Sequence, residues 1–231
     1  YSTEVDFGLM LYPGEDQACD IGANCGAGVV SIDVGNDRED DINLFLGGAQ
    51  LCRFGTPTAE ALDAVALYEP LQDATRNNYV LLITDGQSSC ADPAASAAAL
   101  RGLPQDVKTF AVGFGAGVDA TELNAIANAG GTALPGDPSY YQADDAGQLS
   151  TALATIAGTT ATCTYVLSGV PPDPNLLYVY NGSVQVPRDE TRMNGWDYDM
   201  VQNQIDLYGP ACDALQATPM DLAISYGCAN D

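Results

Sequence analysis

Asp85 stands where an apolar run ends. Residues 79 to 83 read YVLLI, followed by Thr84, Asp85 and Gly86, the polar stretch Gln87-Ser88-Ser89, Cys90 and then an alanine-rich run. A carboxylate at the end of a buried strand is an oxygen donor at a sheet edge, and hard oxygen donors suit Mg2+ or Ca2+. The same residues also make a plain turn, in which Asp85 bonds its own backbone. Thr56, just ahead of Pro57, reads from its position alone as a helix N-cap. The chain holds no histidine, which removes Ser-His-Asp and Cys-His catalysis and every histidine-ligated metal site. Carboxylates are so abundant that a pair of them singles out nothing. Cys90, at a helix entrance that lowers a thiol pKa, is the one cysteine to test as a nucleophile, and a disulfide is the simpler account of it. The expectation is a protein that is not an enzyme.

Seven cysteines, Cys19, Cys25, Cys52, Cys90, Cys163, Cys212 and Cys228, include no C-x-x-C pair, so zinc spacing is absent. Scattered through a chain with a single lysine, Lys108, they suggest disulfides and an oxidising, extracellular or cell-surface location. An odd count leaves one unpaired or paired outside the chain. Seven basic residues face 31 acidic ones, for a net charge of −24. Such a surface repels nucleic acid and anionic lipid and suits cations or basic partners. No apolar run is long enough to span a membrane.

These residues need elements to position them. Strands are expected over 4–12, 28–34, 79–84 and 107–115, with a short one at 139–143. Helices are expected in "REDDINLFLGGA", with acids in its first turn, in "TPTAEALDAVALYEPL" with Pro57 at its first position, and over 92–102. Two more open on capping-box spacings, Asp119-x-x-Glu122 and Asp145-x-x-Gln148. From residue 28 the order is strand, helix, helix, strand, helix, strand, helix, strand, helix. That alternation gives a doubly wound, mostly parallel α/β sheet. Past the small-polar linker at 158–162 the pattern changes to short strands, a hairpin signal at Asn181-Gly182 and one short helix around "CDALQ". Two domains are expected, 1–158 and a small, disulfide-containing, mainly β domain at 163–231.

The α/β part resembles a von Willebrand factor type A domain. "YVLLITDGQSS" is similar to its fourth strand and following loop, "GTPTAEALDAV" to its threonine loop and helix, and "TFAVGFGAGVDATELNAIANAGGT" to its fifth strand, next helix and turn. The resemblance covers residues 4 to 158. It implies a metal-ion-dependent adhesion site, with Thr56 as the threonine ligand, Asp85 as the aspartate ligand, and Gln87, Ser88 and Ser89 lining the rim. The family's Asp-x-Ser-x-Ser loop occurs nowhere in this sequence. The site is therefore partial, and Mg2+ or Ca2+ is expected only if that loop is supplied. In the family the first strand lies between the strands placed here at 4–12 and 79–84. The resemblance thus implies an upstream segment, a strand donated by another chain, or direct pairing of those two strands.

Placed on this fold, Cys19, Cys25, Cys52 and Cys90 gather near the ligand edge, with three connectivities open to them. In the tail, parallel strands would put Cys212 and Cys228 at one end, which favours that pair over Cys163–Cys228. The tail pieces "CTYVL", "GWDY" and "YGC" are similar to segments that follow such domains in secreted bacterial proteins. The function expected is a secreted or surface-displayed bacterial adhesion module that binds a protein or surface polymer through its top face. The alternative is a structural subunit of an extracellular assembly, joined by a donated strand and lacking a working metal site.

Overall fold

β1 (Phe7–Leu11) and β2 (Val29–Gly35) pair antiparallel. The computed structural model describes residues 5–13, 25–49, 55–74, 76–160, 163–217 and 222–227. Cys19, Cys52 and Cys228 lie outside the described residues. The chain divides into two units, Val5–Ala152 and the part from Leu153 onward.

In the first unit, α1 (Glu39–Gly48) carries three acids in its first turn, where the helix dipole favours them. α2 (Thr58–Ala66) starts one residue after Pro57 and ends sooner than its apolar spacing suggests. Pro70 explains the end: it lacks an N–H and disfavours helix for the residue before it, and a 3-10 turn over Glu69–Gln72 follows instead. β3 (Tyr79–Thr84), α3 (Pro93–Arg101), β4 (Lys108–Phe114), α4 (Ala120–Gly130), β5 (Tyr141–Ala143) and α5 (Ala146–Thr160) complete the predicted order.

β3, β4 and β5 form one parallel sheet with β4 in the centre. Residues 109 to 113 of β4 are all buried, as a central parallel strand requires. Leu82 and Ala111 of the sheet meet Leu62 of α2, Ala97 and Leu100 of α3, and Leu123, Ile126 and Ala127 of α4 in one core. The alanines of α3 let it sit close to both α2 and α4. At the end of α4 the backbone nearly touches β4: a Cβ on Gly130 would lie 2.6 Å from the Thr109 carbonyl oxygen. Gly131 then closes the helix in the left-handed conformation, with φ of 76°.

The direct pairing of the first strand with residues 79–84 is not formed: among the described residues β1 pairs with β2 and β3 with β4. Contact across the gap comes from Tyr12, whose hydroxyl donates to the Ile83 carbonyl at 3.4 Å. Leu81 and Ile83, on the same side of β3, are 40% and 41% exposed.

The second unit is built from β6 (Thr164–Val166), β7 (Leu177–Asn181), β8 (Val184–Val186), β9 (Gly195–Asp199), β10 (Gln204–Tyr208), α6 (Pro210–Ala217) and β11 (Leu222–Tyr226). Two three-stranded antiparallel sheets result, ordered β6-β10-β9 and β11-β7-β8. The predicted hairpin joins β7 to β8, with Gly182 at φ of 59° in its two-residue turn. Trp196 is buried, and its indole N–H donates to the Val186 carbonyl at 3.0 Å. Arg188 lies over the Trp196 ring and pairs with the buried Asp197 at 3.1 Å, while Arg192 adds a second pairing at 3.4 Å. The Asp189 carboxylate organises the turn that leads into β9 by accepting from Thr191, Asn194 and Met193, and these bonds hold its pKa down at about 2.

Cys212 is bonded to Cys163, in place of the Cys212–Cys228 pair expected from sequence. That expectation takes β10 and β11 as parallel neighbours, but they belong to different sheets. β6 runs antiparallel to β10, with Thr164 opposite Asp206 and the Leu207 N–H donating to the Cys163 carbonyl. The start of β6 therefore meets the end of β10, where α6 carries Cys212.

Candidate functional site

The carboxyl end of β3 is where the sequence-predicted residues converge. Thr84 turns the strand out of the sheet, its hydroxyl accepting from the Gly86 N–H at 3.4 Å. Asp85 is exposed. Thr56 reaches the same place from the loop before α2: a Cβ on Gly86 would lie 3.6 Å from Thr56 Oγ1. Ser89 locks the two loops together. Its Oγ accepts from the Thr56 N–H at 2.8 Å, and its own N–H donates to the Thr56 carbonyl at 3.0 Å. Thr56 is thus held by the rim loop rather than serving as a side-chain cap of α2. Ser88 is half-buried, with its hydroxyl donating to the Ala91 carbonyl at 3.2 Å, while Gln87 stays exposed at the rim.

Three further residues shape this edge, and sequence reasoning gave none of them a role in it, placing Glu122 only in the capping box of α4. Glu122 Oε1 accepts from the Ser88 N–H at 2.8 Å. Asp119 caps α4 as its spacing predicts, accepting from Thr121 and Glu122, but Glu122 reaches the rim loop with its carboxylate. Burial pushes the Glu122 carboxyl pKa up, the nearby charges of Asp119 and Asp92 push it further, and the Ser88 bond opposes them. Tyr12 places its phenol beside Thr84 and Thr58. Burial raises the phenol pKa, hydrogen bonds to those threonines oppose the rise, and the charges of Asp85 and Glu122 add to it. Glu60, in the first turn of α2, accepts from the Ala91 N–H at 3.3 Å. A disulfide from Cys25 to Cys90, with Cα atoms 5.8 Å apart, fastens the stretch ahead of β2 to the same loop. Cys90 therefore presents no free thiol in this state.

A carboxyl whose pKa rises on folding stabilises the fold below its unfolded pKa, near 4.3, and that contribution is lost as pH rises through the folded value. Glu122→Gln keeps an acceptor for Ser88 and removes the charge. Its melting temperature relative to the parent should therefore rise between acid and neutral pH. A difference that stays flat across that range would show that the half-buried charge has no energetic consequence.

The oxygens assembled here are hard donors suited to Mg2+ or Ca2+. Thr56 Oγ1 and the Asp85 carboxylate are the two such donors that the sequence singles out, and an ion taking both would need the rest of a six-oxygen shell from water or a partner. Among the described residues, Cys25, Glu60 and Cys90, at the far end of the same loop, form a cluster of three potential ligands.

A family model for the von Willebrand factor type A domain matches residues 46–155. No curated protein matches the chain. Among solved structures, proximal thread matrix protein 1 from the mussel byssus aligns at 18% identity and a TM-score of 0.40, over 52% of this chain and 28% of that one. A second structure of that protein, described as having a zinc occupied MIDAS motif, aligns at 19% identity and a TM-score of 0.46, over 70% of this chain and 39% of that one. The chain thus spans well under two thirds of the length of that protein.

Proposed function

From the von Willebrand factor type A domain carried by residues 46–155, we propose an extracellular adhesion module that binds a protein or surface polymer at the carboxyl edge of its parallel sheet. The supporting observation is the meeting of Thr56 with the Asp85–Gly86 turn, held by the paired bonds between Thr56 and Ser89. Asp85 and Thr56 hold one side of a divalent cation of the Mg2+ or Ca2+ class. An acidic group of the partner completes its shell. The electrostatics require the cation: Asp85, Glu122, Asp119 and Asp92 make the edge acidic, so a carboxylate partner is repelled without it. The two disulfides among the described residues fit an oxidising, extracellular setting. Binding is preferred to catalysis because the chain has no histidine and Cys90 is oxidised.

Calorimetric titration with Mg2+ and with Mn2+ tests this reading. The chain is expected to bind weakly, and Asp85→Ala should abolish the heat while leaving the circular dichroism spectrum unchanged. Equal affinity in parent and variant would remove Asp85 from the site.

A second reading, a subunit of an extracellular assembly, rests on β3. Its outer edge has no strand beside it among the described residues, and Leu81 and Ile83 are exposed there. A donated strand would bury both and pair the open backbone groups. Light scattering in the presence of a chelator separates the readings. Polymers indifferent to chelator favour assembly, and a monomer whose ligand binding needs the cation favours adhesion.

A further inference from the structure

Glu60 is half-buried beside the Cys25–Cys90 disulfide, of which Cys25 is exposed and Cys90 half-buried. Its Oε1 takes the Ala91 N–H, but its Oε2 is buried with no hydrogen-bond partner. Among the described residues Glu60 also makes no ion pair: the described arginines that do pair, Arg38, Arg76, Arg101, Arg188 and Arg192, all pair with aspartates. A buried carboxylate oxygen with no donor is unfavourable, and a cation is the simplest group that would satisfy it. Two sulfurs lie beside it. Cys25 Sγ, Cys90 Sγ and a Glu60 carboxylate oxygen are all within 4.8 Å of one another.

We propose that Cys25, Glu60 and Cys90 form a redox-gated site for a thiolate-binding divalent cation of the Zn2+ class. The disulfide is the closed state, because sulfurs bonded to each other are poor donors. A dithiol reductant opens it. Two electrons and two protons pass to the Cys25–Cys90 bond, giving two thiols, while the reductant's own sulfurs join as a disulfide. The cation then displaces both thiol protons and is held by two thiolates and the Glu60 carboxylate, with water in the fourth position. Two sulfurs and one carboxylate oxygen in a tetrahedral shell suit Zn2+ and exclude Mg2+, which takes oxygen. A small-molecule disulfide closes the site again: it takes two electrons from the two thiolates and leaves as two thiolates of its own, the Cys25–Cys90 bond re-forms, and the ion, having lost both sulfur ligands, departs.

Glu60 selects this pair over Cys163–Cys212, for which no third ligand stands nearby among the described residues. The placement links the site to the adhesion edge. Cys90 follows directly on Ser89, which holds Thr56 by two hydrogen bonds. Exchanging the disulfide for a larger metal-bridged pair would shift that loop, so reduction and zinc together would alter the cation edge beside it.

The test uses the full chain, reduced, freed of reductant and titrated with Co2+ as a spectroscopic stand-in for Zn2+. A thiolate-to-cobalt absorption band is expected in the reduced chain and not in the oxidised one. It should be lost in Cys90→Ser and about tenfold weaker in affinity in Glu60→Gln. Site-resolved alkylation makes the assignment independent of the other cysteines. Zn2+ should slow the labelling of Cys25 and Cys90 in the reduced chain, read by mass spectrometry, and leave that of Cys163 and Cys212 unchanged. Equal labelling of Cys25 and Cys90 with and without Zn2+ overturns the site, including the case in which the reduced chain loses its fold. A cobalt band that survives Cys90→Ser overturns it as well, and unchanged affinity in Glu60→Gln removes the carboxylate from the ligand set.

Discussion

Replacing both Cys163 and Cys212 with serine is expected to lower the stability of the second unit by about 4 kcal/mol. The bond links residues separated by 49 positions, and a loop of that size removes about 4 kcal/mol of chain entropy from the unfolded state. The native contacts it supports are short. β6 pairs with β10 through three residues, Thr164, Tyr165 and Val166, too few to hold a strand without a further constraint. Trp196 is the chain's one tryptophan and is 2% exposed, so its emission reports on this unit. Followed by that signal, the urea midpoint should fall by roughly 1.5–4 M. An unchanged midpoint would mean that the unfolded chain is already restricted around this loop, so that closing it adds nothing.

That pairing was open to sequence reasoning in kind but not in detail. Cys163 and Cys212 each sit beside a strand, and the choice between partners turned on strand direction. Direction depends on which strands neighbour each other, and no local pattern near Cys163 carries that information. β9 was missed for a related reason. Trp196, Asp197, Tyr198 and Asp199 alternate apolar and polar, but glycine and two aspartates in five residues are poor strand formers, and the alternation marks no wet face, since Gly195 to Tyr198 are all buried. Asp197 in particular reads as a surface residue until Arg188 and Arg192 are seen around it. By contrast β3 was legible to its ends, because the apolar run and Thr84-Asp85-Gly86 are local signals. So was the opening of α4, where Asp119 caps the helix.

The candidate site divides along the same line. Thr56 and Asp85 carry their signal in the segments around them. Glu122, Glu60 and Tyr12 do not, since each acts through a partner at least 31 residues away. The spacing of Asp119 and Glu122 pointed to a glutamate folded back on its own helix. In the fold its carboxylate goes to Ser88, and the signal for one interaction concealed another.

Leu123→Ala tests how firmly this helix holds the rim. Leu123 is fully buried and packs against bare backbone: a Cβ on Gly113 of β4 would lie 2.7 Å from Leu123 Cδ1. Glycine has no side chain to lean into the space left by the substitution, so the cavity stays open. The expected loss is about 3–5 kcal/mol, toward the upper end for such truncations. Circular dichroism at a helical wavelength should register it in the first unit while the Trp196 transition keeps its midpoint. Ser88 is bonded to Glu122, the neighbour of Leu123 on α4, so its amide should exchange with solvent faster in the variant. The contact itself can be isolated with a second change. Gly113→Ala in the parent meets Leu123 at 2.7 Å and Tyr140 at 2.9 Å, and overpacking of that kind typically costs about 1–3 kcal/mol. In the Leu123→Ala background the first of those clashes is gone and part of the cavity is filled. The two substitutions together should therefore destabilise by less than the sum of their separate effects, by about 1 kcal/mol or more. Strict additivity would mean that Leu123 does not rest on Gly113, and that α4 positions Glu122 by some other contact.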